Sequence, residues 1–384
     1  MVATDSSFPG HLYSIAPFAN LTGAPISSMN HIRRLARHFA AAKLVLPENG
    51  KLQERAQAAG VSVLTYPIAA RGLRRNIFRK TLIADLWAVI RSRGQYFLAL
   101  CREFRRNPGI VHVQSSITVG PMALLAARIC GMPSVIHYRE PARPSLAGRL
   151  HARILTMLAT RVVFVSKGIQ QGYSPAVRRR SRVIYNYMDV GEPRTVSAVR
   201  DRPLIVMAAR MGSRKGADIF LETCRAMHQR GDCFEAWMVG GWNIEHERIQ
   251  ARDFLDRHGL SPVVLDCGDV PDMDRVYHQA DILVLTARRD PFPRVIMEAM
   301  CQGIPVVAAR VDGIPEMVED GVTGILVEPE NVAGFAAALE RLLENPELRH
   351  QMGEAGRERA RQIFSPEAYE SAMLALYREI AKSS

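Results

Sequence analysis

Asp290-Pro-Phe-Pro-Arg-Val-Ile-Met-Glu298 sets two carboxylates eight positions apart, with an apolar run between them. Upstream, Arg210 and Lys215 follow directly on the apolar stretch Leu204–Ala209. Carboxylates accept hydrogen bonds from hydroxyls, whereas guanidinium and ammonium groups hold phosphates. Two acids and two cations near strand ends therefore suit a sugar joined to a nucleotide diphosphate. Taken singly, each feature has a plainer use: an acid ahead of a helix commonly caps it, and basic loops are commonly just solvated.

The elements around these residues give them a setting. Pro293 fits the first turn of a helix, where a missing N–H costs nothing. Gly303 ends that helix and Ile304–Ala308 is the next strand. Asp290–Phe292 is then a loop at a helix N-terminus, whose amides and dipole favour negative charge. Glu298, inside the helix, is placed to reach a ribose diol. Gly212 and Gly216 allow close backbone approach, and a helix is expected from about Ala217. Arg210 and Lys215 thus form a phosphate cradle beside a helix N-terminus.

Short apolar runs alternate with helical patterns along the whole chain. Strands are expected at Ala42–Leu46, Val61–Tyr66, Ile110–Gln114, Ser134–His137, Val162–Val165 and Val183–Tyr185. A second series follows at Leu204–Ala208, Glu235–Val239, Val263–Leu265, Ile282–Leu285, Pro305–Ala308 and Gly324–Val327. This alternation implies α/β architecture with parallel sheets covered on both faces. Ligands of such sheets sit beyond the carboxyl ends of the strands. The polar, Pro- and Gly-containing stretch Met188–Pro203 separates the two series. The expected organisation is an N-terminal domain over 1–190, a linker over 191–203, a second domain over 204–365 and a final helix over 366–384, able to pack back on the first domain.

Charge is divided between the halves. Residues 1–200 carry 29 Lys+Arg against 8 Asp+Glu, a net +21, and the remainder is −9, within a total of +12 over 384 residues. The basic half points to an anionic partner. Residues 71–106 interleave ten basic residues with Leu, Ile, Trp and Phe. That pattern fits either interfacial contact with an anionic membrane or helices packed on the core with a solvated arginine face. The six cysteines are scattered, as for reduced thiols in a cytoplasmic protein. No leader is expected at the N-terminus, and no apolar run reaches membrane-spanning length.

The stretch Asp290–Ala309 resembles the signature of family 4 glycosyltransferases, which usually reads Glu-x-Phe-Gly, a short apolar run and Glu-Ala-Met. Other resemblances come in the same order: Gly23-Ala-Pro-Ile-Ser, Val183-Ile-Tyr-Asn-Tyr-Met-Asp189, Arg210 with Lys215, Val239-Gly240-Gly241, and Gly313-Ile-Pro-Glu-Met-Val-Glu-Asp-Gly-Val-Thr-Gly324. Together they cover about residues 15–365. The resemblance implies the GT-B fold, two Rossmann-like doubly wound domains facing a central cleft. It implies retaining transfer from a UDP- or GDP-sugar donor, with no cofactor or metal required. Arg210 and Lys215 would neutralise the diphosphate, and Glu298 would hold the ribose. Asp290 and the backbone of Phe292, Pro293 and Arg294 would hold the sugar. Val270 would read the base, and Gly23 and Gly240 would let backbone approach the donor. His137, Arg139 and Glu140 are the acceptor-side candidates. Asp290 stands where Glu is usual and Pro293 where Gly is usual, both beside the transferred sugar.

The expected partners are a nucleotide sugar and a glycan or lipid-linked acceptor in cell-surface polysaccharide synthesis, with peripheral membrane contact through residues 71–106 and no nucleic acid. A nucleotide-sugar epimerase of the same fold and a non-catalytic nucleotide-sugar-binding protein are the alternatives. Asp272-Met-Asp274 reads as helix-start acids and Glu245-His-Glu247 as part of a solvated helix, rather than as metal ligands, and His112 as a structural strand residue.

Overall fold

The computed structural model describes residues 8–21, 23–68, 82–114, 119–141, 145–191 and 201–382. They divide into two compact units. Unit 1 comprises Met1–Val165, Ile169–Ile184 and Glu370–Ser384, and unit 2 comprises Ser166–Gly168 and Tyr185–Tyr369.

Unit 1 holds a sheet of seven strands: β1 Phe8–Ile15, β2 Phe39–Leu46, β3 Ser62–Thr65, β4 Gly109–Val113, β5 Ser134–Tyr138, β6 Arg161–Phe164 and β7 Ser181–Val183. Their order is β3-β2-β1-β4-β5-β6-β7, and every pairing is parallel. The central strand β1 was not among the expected ones. Its sequence, Phe-Pro-Gly-His-Leu-Tyr-Ser-Ile, carries the strand-averse Pro9 and Gly10 right after its first residue and mixes polar with apolar positions. Tertiary burial overrides that weak signal: Leu12, Tyr13, Ser14 and Ile15 are all fully buried. The register shifts between Phe8 and His11, which absorbs Pro9 and Gly10. Opposite His11 stands Gly109. A Cβ there would fall 1.9 Å from the His11 carbonyl oxygen, so only glycine lets the two backbones meet.

Unit 2 holds six strands: β8 Leu204–Ala208, β9 Glu235–Val239, β10 Val264–Gly268, β11 Ile282–Leu285, β12 Val306–Ala309 and β13 Gly324–Val327. The order is β10-β9-β8-β11-β12-β13, again all parallel. β8, β11 and β12 are buried at every position, as expected of strands covered on both faces. Phe220, Phe335, Leu339 and Met227 come from helices packed on this sheet. The helix Ala217–Arg230 is bounded by Gly216 and Gly231, both left-handed.

Of the stretch 71–106, residues 71–81 lie outside the described residues, as do the side chains of 82–88. The rest belongs to the helix Leu82–Arg106, which buries Tyr96, Leu100, Cys101 and Phe104. Among the described residues no helix is long and apolar enough to cross a membrane.

Candidate functional site

In unit 2 the chain builds outward from β8 to β10, then returns to β11 on the other flank of β8. That reversal opens a crevice at the carboxyl ends of β8 and β11, where doubly wound sheets receive ligands. Arg210 and Lys215 leave from β8 and Asp290 leaves from β11. The structure thus brings the cations and the first acid to one edge. Lys215 closes a single 3-10 turn, Ser213–Lys215, held between Gly212 (φ 145°) and Gly216 (φ 73°). A Cβ on Gly216 would lie 2.0 Å from the Thr286 carbonyl oxygen, and the Thr286 hydroxyl donates to the Gly216 carbonyl at 2.7 Å. The turn is therefore clamped onto the segment after β11.

Lys215 Nζ is ion-paired to Asp290 Oδ2, with both side chains largely buried. An ammonium has three donors, so this pair leaves Lys215 able to hold a phosphate as well. Arg288, which the sequence reading passed over, braces the same loops. It donates to the Ser213 carbonyl at 2.6 Å, to both oxygens of Asp218 at 2.8 and 2.7 Å, and to Glu330 at 2.7 Å. The Asp218 bonds hold its guanidinium even more firmly protonated than usual. These partners are 70 and 42 positions away, so no local pattern announces them. Arg210 is exposed at the rim.

Glu298 rides on the helix Arg294–Cys301. Pro293 is the residue capping this helix (φ −68°, ψ 123°) rather than a member of its first turn. The expectation was one residue early, because the proline ring is equally content in the extended conformation of a cap. Tyr277 donates to Glu298 Oε2 at 2.8 Å and Arg294 approaches Oε1 at 3.4 Å. Burial, and then the Glu298 carboxylate, push the Tyr277 phenol well above its ordinary range. Its proton is thus permanently available to orient Glu298. The ring of Phe292 is buried, stacked 5.2 Å from Tyr185 and edge-on to Phe364 at 5.5 Å. It anchors the loop, leaving the backbone as the part that can meet a ligand.

A cavity of about 240 Å³ collects Arg210, Gly240, Gly241, Asp269, Val270, Met273, Val295 and Glu298, together with Ala208, Ala209 and Val239. Four predicted residues, Arg210, Gly240, Val270 and Glu298, therefore share one cavity, whereas Lys215, Asp290, Phe292, Pro293 and Arg294 do not line it. Asp269 was missed. Its Oδ1 accepts from the Gly241 amide at 2.7 Å and so fixes the glycine turn after β9. Gly240 has φ 128°, and a Cβ there would fall 1.9 Å from the Ala209 carbonyl oxygen. We expect Gly240→Ala to cost about 2 kcal/mol or more, from backbone strain and the clash together. Gly231→Ala, at φ 88° with open space around it, should cost about 1 kcal/mol from strain alone. Thermal melting of the two variants makes the comparison.

A larger cavity of about 360 Å³ lies behind the same loop, lined by Leu221, Trp242 and Phe254 among others. Its acids Asp218, Glu222 and Glu247 are engaged by Arg288, Arg225 and the Ser213 amide respectively.

The other predicted residues belong to unit 1. Gly23 opens the helix Gly23–Leu35 that follows β1, and a Cβ on it would meet nothing within 4 Å. His137 ends within β5, with Arg139 and Glu140 just after it. His137 is the end of a buried chain of polar groups. Arg139 approaches His137 Nδ1 at 3.4 Å and donates to Gln114 Oε1 at 3.2 and 2.8 Å. His112 Nε2 lies 3.4 Å from the same His137 nitrogen, and His112 Nδ1 lies 2.6 Å from the Tyr377 hydroxyl. Tyr377 also meets His31 Nε2 at 2.8 Å. Arginine can only donate, so His137 Nδ1 accepts and the proton sits on Nε2. The same polarity then runs back along the chain: His112 Nε2–H donates to His137, Tyr377 donates to His112, and His31 donates to Tyr377.

Burial holds all three imidazoles neutral. Burial and then Arg139 bring His31 down to about 3. Burial depresses His137 well below its usual range, with Arg139 next in effect. It depresses His112 likewise, with His31 next. Among the described residues His137 Nε2 is buried with no hydrogen-bond partner, and it presents a donor rather than a base.

Comparison with known proteins agrees with this geometry. Residues 22–187 match the profile of the glycosyl transferase 4-like domain, and residues 192–359 match that of glycosyl transferases group 1. An alpha-D-kanosaminyltransferase of Streptomyces kanamyceticus is 31% identical over 191 residues, 47% of this chain and 46% of that protein. The lipopolysaccharide core biosynthesis glycosyltransferase LpsE of Rhizobium meliloti is 28% identical over 204 residues, 52% of this chain and 58% of that protein. The chain thus spans about half the length of these curated relatives. In fold it is similar to Anabaena HepE solved in complex with UDP, with a TM-score of 0.81 at 19% identity, covering 96% of this chain and 100% of that one. With both halves matched to its two domains and both sheets in the GT-B pattern, the chain belongs to the group 1 glycosyltransferases, of the family 4 type.

Proposed function

We propose that the chain transfers a sugar, with retention, from a UDP-sugar to a glycan or lipid-linked acceptor in cell-surface polysaccharide synthesis. The observation that carries this reading is the single edge of unit 2 on which Arg210, Lys215, Asp290 and Glu298 gather. On this reading Arg210 and Lys215 hold the diphosphate. They stabilise the charge that grows on it as the glycosidic bond breaks, in a site whose donors are already oriented. Glu298 accepts from the ribose hydroxyls, and the backbone at Val270 reads the base. Asp290 orients Lys215 and faces the sugar together with the backbone of Phe292–Arg294. The cavity of about 240 Å³ is below the range of about 300–1,000 Å³ usual for whole small-molecule sites, which suits the nucleoside half of the donor. UDP is the favoured nucleotide because HepE, similar in fold, was solved with UDP and with UDP-glucose. Gly23 and the His137 N–H, with Arg139 and Glu140, are the proposed acceptor-side groups, and the enzyme works in the cytoplasm.

The test is calorimetric titration of the full chain with UDP, GDP and their sugars. Binding of UDP with a Kd in the micromolar range, at least about tenfold tighter than GDP, is the expected result. Tighter binding of GDP would reassign the base, and binding of neither would remove the donor site. Release of an epimerised free sugar without transfer would favour the epimerase reading.

A further inference from the structure

The helix Leu146–Leu158 turns apolar residues outward. Its N-terminus is held by Ser145, whose hydroxyl accepts from the Gly148 amide at 3.1 Å, and it buries Leu155 and Thr156 inward. On the opposite side Leu146, Leu150, Ile154 and Met157 are exposed by 83, 56, 46 and 61%. Their spacing of i, i+4, i+8 and i+11 puts them on one stripe of a helix. Scattered exposed leucines need no explanation, but a continuous stripe does. Arg149 and Arg153, also exposed, border it. The neighbouring helix Gly120–Ile129 packs against this one and adds exposed Leu125, Arg128 and Ile129.

We infer that this stripe is a docking surface for an anionic lipid bilayer, with Leu146, Leu150, Ile154 and Met157 entering the interface and Arg149, Arg153 and Arg128 meeting the headgroups.

Charge selects this occupant. The helices Gly120–Ile129 and Leu146–Leu158 contain no Asp or Glu at all. On the adjoining helix Leu82–Arg106, Glu103 is engaged by Lys43 and Tyr13, and the side chain of its other acid, Asp85, lies outside the described residues. A second copy docked through the same surface about a two-fold axis would set arginines against arginines. Nucleic acid would engage the arginines but leave the apolar stripe uncovered. An anionic bilayer satisfies both: apolar side chains sink to the acyl boundary while arginines stay at the headgroups. The surface differs from the stretch 71–106 singled out from sequence, whose described part buries Tyr96, Leu100, Cys101 and Phe104 and exposes only Ile90 and Leu98 among its large apolar side chains. It is also independent of the nucleotide-sugar reading, because lipid binding is measured without a donor and with all of unit 2 unaltered.

Co-sedimentation of the full chain with vesicles tests it, comparing phosphatidylcholine alone with phosphatidylcholine–phosphatidylglycerol mixtures. The chain should pellet with the anionic vesicles and stay in solution with the neutral ones. Replacing Leu146, Leu150, Ile154 and Met157 together by Gln should lower partitioning about tenfold or more. Arg149→Gln with Arg153→Gln should lower it about fivefold for each charge removed. All six side chains are exposed, so unchanged circular dichroism and melting, and unchanged UDP titration, would exclude misfolding. Equal binding to both vesicle types, or no loss in the fourfold variant, would overturn the inference. So would a dimer in solution that the fourfold variant dissolves.

Discussion

Lys215→Ala is expected to reduce sugar transfer about 10²–10³-fold, the usual effect of removing one oriented donor from a site where anionic charge develops. It should also weaken unit 2. Asp290 is 5% exposed and Lys215 is its ion-pair partner. Removing one member of such a pair leaves a carboxylate buried without compensation, at a cost of about 3–5 kcal/mol. In a unit of this size that is a fall in melting temperature of roughly 10 °C. The two effects separate in the double variant Lys215→Ala with Asp290→Asn. Its stability should recover most of the loss, because no charge is left stranded, while transfer stays low. Measured melting and turnover decide the matter. A double variant that is both stable and active would take Lys215 out of the chemistry and leave it a purely structural cation.

The second large effect concerns Glu298. Its carboxylate has about four acceptor positions, and the described structure engages one oxygen with Tyr277 and the other with Arg294. The remaining positions are free to accept from a diol. Charge-assisted hydrogen bonds are worth about 1.5–3 kcal/mol each, so Glu298→Ala should raise the Kd for UDP about 100-fold. The variant Glu298→Gln keeps one acceptor and should lose about tenfold. The discriminating ligand is 2′-deoxy-UDP. It lacks one of the hydroxyls, so the same substitutions should cost it markedly less. A merely structural role for Glu298 would weaken both ligands equally. Tyr277→Phe should loosen UDP binding only a few-fold, because it removes the orienting bond and leaves the acceptor in place.

Why some of this was legible in the sequence follows from the range of the forces involved. β8, β11 and β12 were readable because full burial makes a strand an unbroken apolar run. β1 was not, although it is as deeply buried, because Pro9, Gly10 and His11 belong to the backbone approach to Gly109 rather than to any strand pattern. Arg210, Lys215, Asp290 and Glu298 lie in two short segments whose chemistry and turn residues are local, and their arrival at one edge needs only the rule for parallel sheets. The groups that orient them were not legible. Arg288 braces Asp218 across 70 positions, Tyr277 meets Glu298 across 21, and Tyr377 meets His31 across 346. A single sequence contains each of these side chains but no term that couples them. Pro293 shows a subtler limit, since its ring fits a cap and a first turn equally well and only the backbone angles decide.

The placement of the last helix has a consequence for how the protein is made. Tyr377 ties that helix to His31 and His112, and Glu370 receives Arg34, Arg37 and His38 at 2.5 Å each. Unit 1 is therefore begun first on the ribosome, yet its final segment emerges only after the whole of Tyr185–Tyr369 has been synthesised. Chains usually complete their domains in the order of synthesis. Here unit 2 can finish while unit 1 still holds an open seat for its last helix, with His31 and His112 waiting beside it, so the nascent chain closes its first-born unit last.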